Sequence, residues 1–581
     1  MPGYQSHLGA ATARSAATQN LPVMVRWQSE MADRLMAGSR IIPLQTLARG
    51  VDVLVIGGGI TGAGVALDAA SRGYRVGLVE AADYGSGTSS RSTKLIHGGI
   101  RYLPQGHVAL VREALRERGL LLRLAPHLVR PLAFAIPLYA GARRPLGVRI
   151  PAVLRPFTPL GIRAGLFVYD LFARDPALRH RVLSPGDLAR EVPALRTERL
   201  RAALVYHDAQ TDDVRLTHAV LASARSLGAA MVNYAAVTAL RHTAGRVSGA
   251  AVEDRLTGGR IEASARFVVN ATGIWGEHVA ALDGEPPFRI RHSKGSHLVL
   301  RSGAVSTRMA IVIPETDDGR LAFIVPWAGR LMLGTTDDAY DGDVRVPTAT
   351  GGDVTYLLDH ANRYLRRPLS RADIVGTFAG VRPLVAADGG ATSALSRDHL
   401  VPTSPGGLIS VVGGKLTTYR KMAADTVDAI VARDGGGRPC RTDGITLAGA
   451  DGVDEARRDL EATPLAGDQR ARLIEMYGGL ASALAALVRD DGALAARLVE
   501  GLSVTAAEVV YACQAEQAVT LSDCLFLRTR LAIIEPDGAD RAVEATATLM
   551  AGVLGWDAAE IRGQREAYER ARAGEERWRV D

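Results

Sequence analysis

Residues 51–80 read VDVLVIGGGITGAGVALDAASRGYRVGLVE, and the order of residue types in this stretch decides the fold. The run 51–56 has the length and β-branching of a buried strand and ends in glycines. A helix over 60–72 and a second strand over 75–80 complete a βαβ opening. Gly57, Gly59 and Gly62 fit the spacing G-x-G-x-x-G. At that spacing the first glycine allows a tight turn and the second lets a pyrophosphate approach the backbone. The third lets helix and strand pack closely. The phosphates then meet the helix N-terminus, where unpaired N–H groups and the helix dipole favour anions. Glu80 ends the second strand 18 residues after Gly62, where an acid binds ribose hydroxyls. Glycines also serve plain turns. What points to a dinucleotide is strand, glycines, helix, strand and acid in order. The fingerprint alone does not separate NAD from FAD.

Outward from this unit, 581 residues exceed what one hydrophobic core usually organises, so at least two domains are expected. Residues 1–50 read as an N-terminal extension, basic and free of acids before Glu30, with a short helix near Trp27–Met36. Ordered structure is expected from Val51. Residues 246–254 and 260–269 flank Thr-Gly-Gly as a hairpin, and short strands over 308–313, 321–326 and 330–334 predict an antiparallel sheet. Another buried strand is expected over 407–412. The stretch DGGGRPCRTDGITLAGADG, 434–452, reads as a linker. Beyond it Thr505 with Glu508, and Asp557 with Glu560, have capping-box spacing. The division is therefore 51–435 for the body of the protein and 450–581 for a helical domain.

Composition narrows the class. With 47% hydrophobic and 23% charged residues the chain is not wholly disordered or fibrous. Cys440, Cys513 and Cys524 are too few and scattered for a disulfide framework, a zinc site or an iron–sulfur cluster, which favours a reducing compartment. No uninterrupted apolar run reaches the roughly 18–20 residues of a spanning helix. The net charge of +7 admits anionic partners. Of 69 basic residues only Lys94, Lys294, Lys415 and Lys421 are lysine. Because a compact ammonium and a planar guanidinium are not interchangeable at a site, these positions are marked as candidates.

The lysines fall in motifs rich in Gly, Ser and Thr. Residues 87–103, GTSSRSTKLIHGGIRYL, put Lys94, His97, Arg101 and Tyr102 in one loop suited to an anion. Residues 291–298, RHSKGSHL, bracket Gly295 and Ser296 with Lys294 and His297. GVRPL (380–384) holds Arg382 beside a proline, and VGGKLTTYRK (412–421) places Lys415 after a glycine pair. Together with YHDAQTDDVRL (206–216), VVNATGIW (268–275), IVPW (324–327), LGTTD (333–337) and SRDH (396–399), this ordered set resembles the FAD-dependent glycerol-3-phosphate dehydrogenase family from about 51 to 575.

The resemblance implies an α/β fold: a Rossmann-like FAD-binding domain interleaved with an antiparallel-sheet substrate domain of the amino-acid-oxidase type, plus a C-terminal all-α domain. It implies noncovalent FAD, oxidation of sn-glycerol 3-phosphate to dihydroxyacetone phosphate, and electrons passed to a quinone at a membrane surface. Carried over residue by residue, Arg101 and Tyr102 match positions near the substrate phosphate. His97, Arg382 and Lys415 match positions lining the same pocket. Gly57, Gly59, Gly62, Glu80, Ser89, Ser90 and Lys94 fall on FAD-contacting positions, and Gly413, Leu416 and Thr417 match the loop beside the flavin's pyrimidine end. A peripheral protein on the cytoplasmic face of the cell membrane, paired with a second copy of itself and binding no nucleic acid, is the expectation for partners and place.

The chemistry asks for specific groups. A dianionic phosphate wants two or more cations, an alkoxide-like transition state wants a cation at its oxygen, and the hydroxyl proton wants an acceptor titrating near neutrality. Arg382 is the candidate for the oxygen, and His97, ahead of His297, for the proton. No metal-ligand spacing is present. Residues 131–181 carry eight arginines against Asp170 and Asp175, interleaved with Leu166, Phe167 and Phe172, so either an anionic lipid surface or a solvated basic face fits them. An oxidase passing electrons to dioxygen is the close rival. An amine or amino-acid oxidase would leave the cationic pocket unexplained, and a flavoprotein without turnover would leave the whole set of site residues unexplained.

Overall fold

The computed structural model describes residues 40–580 apart from 104–105, 143, 148–150, 152, 154–156 and 386–398. The expected helix near Trp27–Met36, three of the eight arginines (143, 149 and 155) and most of SRDH lie outside the described residues.

The opening strand, Val51–Ile56, pairs in parallel with Val76–Val79 on one side and Arg260–Asn270 on the other. Five of its six residues are buried, as a central strand covered on both faces requires. Ala230–Val232 extends the sheet beyond Val76–Val79, and the hairpin of Arg246–Asp254 with Arg260–Asn270 forms its far side. The helix Ile60–Ser71 buries Gly62, Ala63, Gly64 and Ala66. Small residues there let it lie tight against the sheet and against Tyr419–Arg433. A Cβ at Gly64 would stand 2.9 Å from the Tyr419 ring.

A second, ten-stranded sheet carries the expected Ala310–Ile313, Ala322–Trp327 and Arg330–Gly334. Its long strands are Arg130–Tyr139 with Leu200–Gln210, and Ile290–Leu300 with Ile374–Val385, each pair antiparallel. The two sheets interleave in sequence, so loops leaving the first end on the edge of the second.

Three boundaries differ from the sequence reading. Order begins before Val51: the helix Ile41–Arg49 buries Leu47 against Gly77, whose missing side chain makes the room. The strand expected over 407–412 is two short pieces, Ile409–Ser410 and Val412–Gly413, pairing in different sheets. Glycines at 413 and 414, both at positive φ, turn the chain there. The stretch 434–452 is no loose linker, because Leu447 is buried and its N–H donates to the Leu124 carbonyl, while Cys440 approaches Asp68 at 3.0 Å.

The helical domain runs from Val453–Glu461 to Ala558–Glu575. Thr505 and Glu508 form the reciprocal capping box, whereas Asp557 caps its helix alone by accepting from Ala559 and Glu560. Gly467–Asp490 is long and apolar enough by composition to cross a membrane, but it breaks at Gly478 and packs Leu473, Tyr477, Leu484 and Ala485 into this domain's core. The domain is bolted to the body by buried charge pairs. Arg528 meets Asp83, and Arg530 meets Asp213. The chain then returns Trp578 to the core of the antiparallel layer.

Candidate functional site

The parallel sheet and the antiparallel sheet enclose a cavity of about 710 Å³. That is the size class of a ligand pocket, and its walls run from Glu80, Ala235 and Arg255 at one end to Tyr102, His297 and Lys415.

At the first end the turn after Val51–Ile56 is built for close approach. Gly57 has φ 108°, and a Cβ on it would stand 2.6 Å from the Ala271 carbonyl oxygen. A Cβ on Gly62 would overlap the Gly57 carbonyl oxygen, so this glycine shapes the turn from behind rather than lining the cavity. Ser89 Oγ accepts from the Ile60 N–H at the helix N-terminus, at 2.9 Å. Glu80 is half-buried and accepts from the Gly58 N–H at 2.6 Å and the Ala82 N–H at 2.9 Å. Burial pushes its carboxyl above the usual range, and these two amide bonds work against that. A bare glycine turn, a helix N-terminus and an acid on the cavity wall together fit a dinucleotide.

The opposite end is cationic and aromatic. Two cations approach the Tyr102 ring, the Lys415 ammonium at 4.3 Å from its centre and the Arg101 guanidinium at 5.0 Å. Arg101 also donates to the Tyr102 hydroxyl at 3.1 Å. Lys415 and Tyr102 line the cavity, while Arg101 stands just outside its wall. Thr417 Oγ1 accepts from the His97 N–H and donates to the His97 carbonyl, fixing that residue's backbone. The next amide, Gly98 N–H, is held by Asp208, which is itself paired with Arg118 at 2.8 Å.

His297 is buried, stacked on Phe378 at 4.6 Å, and its Nε2 meets Thr93 Oγ1 at 2.9 Å. Burial, reinforced by the charges of Lys94 and Arg382, holds this imidazole well below its ordinary value, so it stands neutral. Arg382 is fixed by Asp337 at 3.1 Å, by Thr335 Oγ1 at 3.1 Å and by the Thr336 carbonyl. These partners explain two motif glycines. A Cβ at Gly295 would strike the Arg382 guanidinium, and one at Gly334 would strike the His297 ring.

The structure therefore brings His97, His297, Arg382, Tyr102, Lys415, Gly57, Gly59, Glu80, Ser89, Gly413, Leu416 and Thr417 onto one cavity wall. Three expected cofactor positions, Gly62, Ser90 and Lys94, lie behind the wall. Ser90 Oγ donates to the Ser86 and Gly87 carbonyls within its own turn. Lys94 has its ammonium on Asp213 at 2.7 Å and on the Ser90 carbonyl, over the rings of Trp327 and Phe378. Lys294 likewise is a buried pair with Asp353. Thr93, Trp275 and Asp337 were not singled out by sequence reasoning, although each lies inside a quoted motif. Arg345, also on the wall, carried no sequence signal.

Comparison with known proteins matches the arrangement. Residues 52–420 fit the family model described as FAD dependent oxidoreductase, and 440–561 the one described as C-terminal domain of alpha-glycerophosphate oxidase. The chain is 39% identical over 523 residues to glycerol-3-phosphate dehydrogenase 2 of Mycobacterium tuberculosis, covering 88% of this chain and 86% of that one. It is 36% identical over 553 residues to the mitochondrial glycerol-3-phosphate dehydrogenase of Mesocricetus auratus, covering 91% and 73%. Among solved structures, the glycerol-3-phosphate dehydrogenase from Bacillus halodurans complexed with FAD superposes with a TM-score of 0.75 at 30% identity, over 92% of this chain and 97% of that one.

Proposed function

The chain belongs to the FAD-dependent glycerol-3-phosphate dehydrogenase family, and from that premise we propose that it oxidises sn-glycerol 3-phosphate to dihydroxyacetone phosphate, with noncovalent FAD as cofactor and a quinone as electron acceptor. The observation that carries the reading is the convergence of Tyr102, Lys415, Arg382, His97 and His297 at the end of the cavity away from Glu80.

The residues divide the work. Gly57, Gly59 and the Ile60 helix terminus hold the pyrophosphate, and Glu80 holds the ribose. The chemistry FAD supplies is acceptance of the hydride leaving the carbinol carbon. Lys415, with Arg101 supporting it through Tyr102, meets the phosphate in ground and transition states alike. Arg382, held by Asp337 and Thr335, meets the substrate oxygen as negative charge develops on it. His97 takes the hydroxyl proton. His297 is too strongly held neutral to be the better base, and positions the substrate by hydrogen bonding. Stoichiometry closes: the alcohol loses one hydride and one proton and becomes the ketone.

Supporting a membrane quinone is the helix Thr158–Ala173. Phe157, Leu160, Phe167 and Leu171 are 63–66% exposed and recur at spacings of three, seven and four residues, so one apolar stripe faces outward. Arg163, Arg174 and Arg179 are exposed around it. Such a stripe with basic flanks binds anionic bilayers by shallow insertion plus charge.

The test is substrate-dependent reduction of a soluble quinone analogue, with peroxide followed in parallel. Quinone reduction with little peroxide is expected. Stoichiometric peroxide without quinone would replace the acceptor by dioxygen, and no reaction with either would remove the function. Co-sedimentation with phosphatidylglycerol vesicles should be lost in Phe167→Ser/Leu171→Ser, and equal sedimentation of that variant would sink the membrane face.

A further inference from the structure

A second cavity, of about 160 Å³, lies between the helix Asp213–Ser226 of the body and the helical domain, and shares no lining residue with the first. Its polar wall is unusual in what it leaves unmet. Among the described residues, His218, 5% exposed, has no hydrogen-bond partner at Nε2, and His127, 8% exposed, has none at Nδ1. The Gln514 amide oxygen on the same wall also has none. Leaving a buried polar atom unsatisfied costs roughly 1–3 kcal/mol, and a small shift of any of these three side chains would bring its polar atom onto an occupant of the space beside it.

The charge around the space is unbalanced. Arg215 and Arg225 both line it, and among the described residues Glu516 is the only acid on its wall. Glu516 pairs with Arg215 at 2.8 Å and is shared with Arg528 at 3.2 Å. Arg225 donates to the Ala515 carbonyl and meets no carboxylate among the described residues. Both imidazoles are held below their ordinary values by burial first, then by Arg215 and Arg130 for His127, to about 4, and by Arg528, Arg215 and Arg225 for His218. An anion is the missing counter-charge. Ser226 and Gly228, exposed at the rim, give it a way in.

We propose that this cavity is a binding site for a small oxyanion, a phosphate ester or a short carboxylate, separate from the catalytic cavity and seated between the two domains. Arg215 and Arg225 take the anion, and the rings of His127 and His218 with the Gln514 amide close the space around it. The space suits a compact metabolite and would hold about five waters at ~30 Å³ each. Water is thus the competing occupant.

The test follows the thermal midpoint of the flavin-loaded protein at constant ionic strength, titrated with inorganic phosphate, malonate or glycerol. A saturable rise with phosphate or malonate, and none with glycerol, is expected, and the stronger of the two anions identifies the source class. The rise should persist in Lys415→Met, which alters the catalytic cavity, and vanish in Ala222→Leu, which fills this one from the helix. Arg225→Gln should weaken the anion at least about tenfold. An anion effect lost only in Lys415→Met, one unchanged in both Ala222→Leu and Arg225→Gln, or no anion effect at all, would each overturn the site.

Discussion

Glu80 concentrates two duties in one carboxylate: it ties the backbone at Gly58 and Ala82 together and faces the ribose end of the cavity. Glu80→Ala should therefore loosen FAD by about 10–100-fold, the worth of a charge-assisted hydrogen bond, while secondary structure survives. Flavin content after dilution and gel filtration reads this directly, and full occupancy of the variant would contradict it. Lys415 is the lysine whose ammonium the site uses. Lys415→Arg should cut turnover on the order of a hundredfold, since a forked guanidinium beside Tyr102 displaces substrate by about 1 Å. Arg179→Lys, on the exposed surface, should leave turnover unchanged in the same assay. Scarcity of lysine pointed to four places where a compact ammonium is used, but it could not say how. Lys94 and Lys294 neutralise buried Asp213 and Asp353, and Lys421 pairs along its helix with Asp425. Ion pairing and ligand binding ask for the same side chain, so composition alone does not distinguish them.

At the scale of elements, the strand Ile290–Leu300 shows how local sequence becomes site geometry. Its antiparallel register with Ile374–Val385 sets Gly295 opposite Gly380 and Ser293 opposite Arg382. The absent side chain at 295 makes room for the guanidinium. Gly295→Ala should push Arg382 off the substrate oxygen and lower kcat by tenfold or more, with flavin retained. A variant that changes KM alone would reassign Arg382 to ground-state binding. The βαβ opening, the 246–269 hairpin and the three short strands were legible because each is a local pattern of period and turn. The break between Ile409–Ser410 and Val412–Gly413 was not, because it arises where one short run serves two sheets. The place of Lys94 and Ser90 behind the wall was equally hidden: Lys94 pairs with Asp213, 119 residues away, and only tertiary structure records that.

Across the whole molecule the helical domain is more than an appendage. Arg530 donates to Ser90 and Asp213, and Arg528 to Asp83, so its side chains brace the loop that walls the cofactor cavity. Arg528→Met strands Asp83 without its cation and should cost about 3–5 kcal/mol, read as a lower thermal midpoint and faster proteolysis within 434–452. An unchanged midpoint would mean that the Arg528–Asp83 pair does not hold the domains together. The central claim is that one cavity holds flavin and sn-glycerol 3-phosphate against each other. Its most direct measurement is anaerobic titration of the yellow protein with that substrate, followed at the flavin absorption band. The account predicts stoichiometric bleaching, one equivalent per flavin, with dihydroxyacetone phosphate recovered in equal amount. A flavin that stays oxidised at saturating substrate would contradict it.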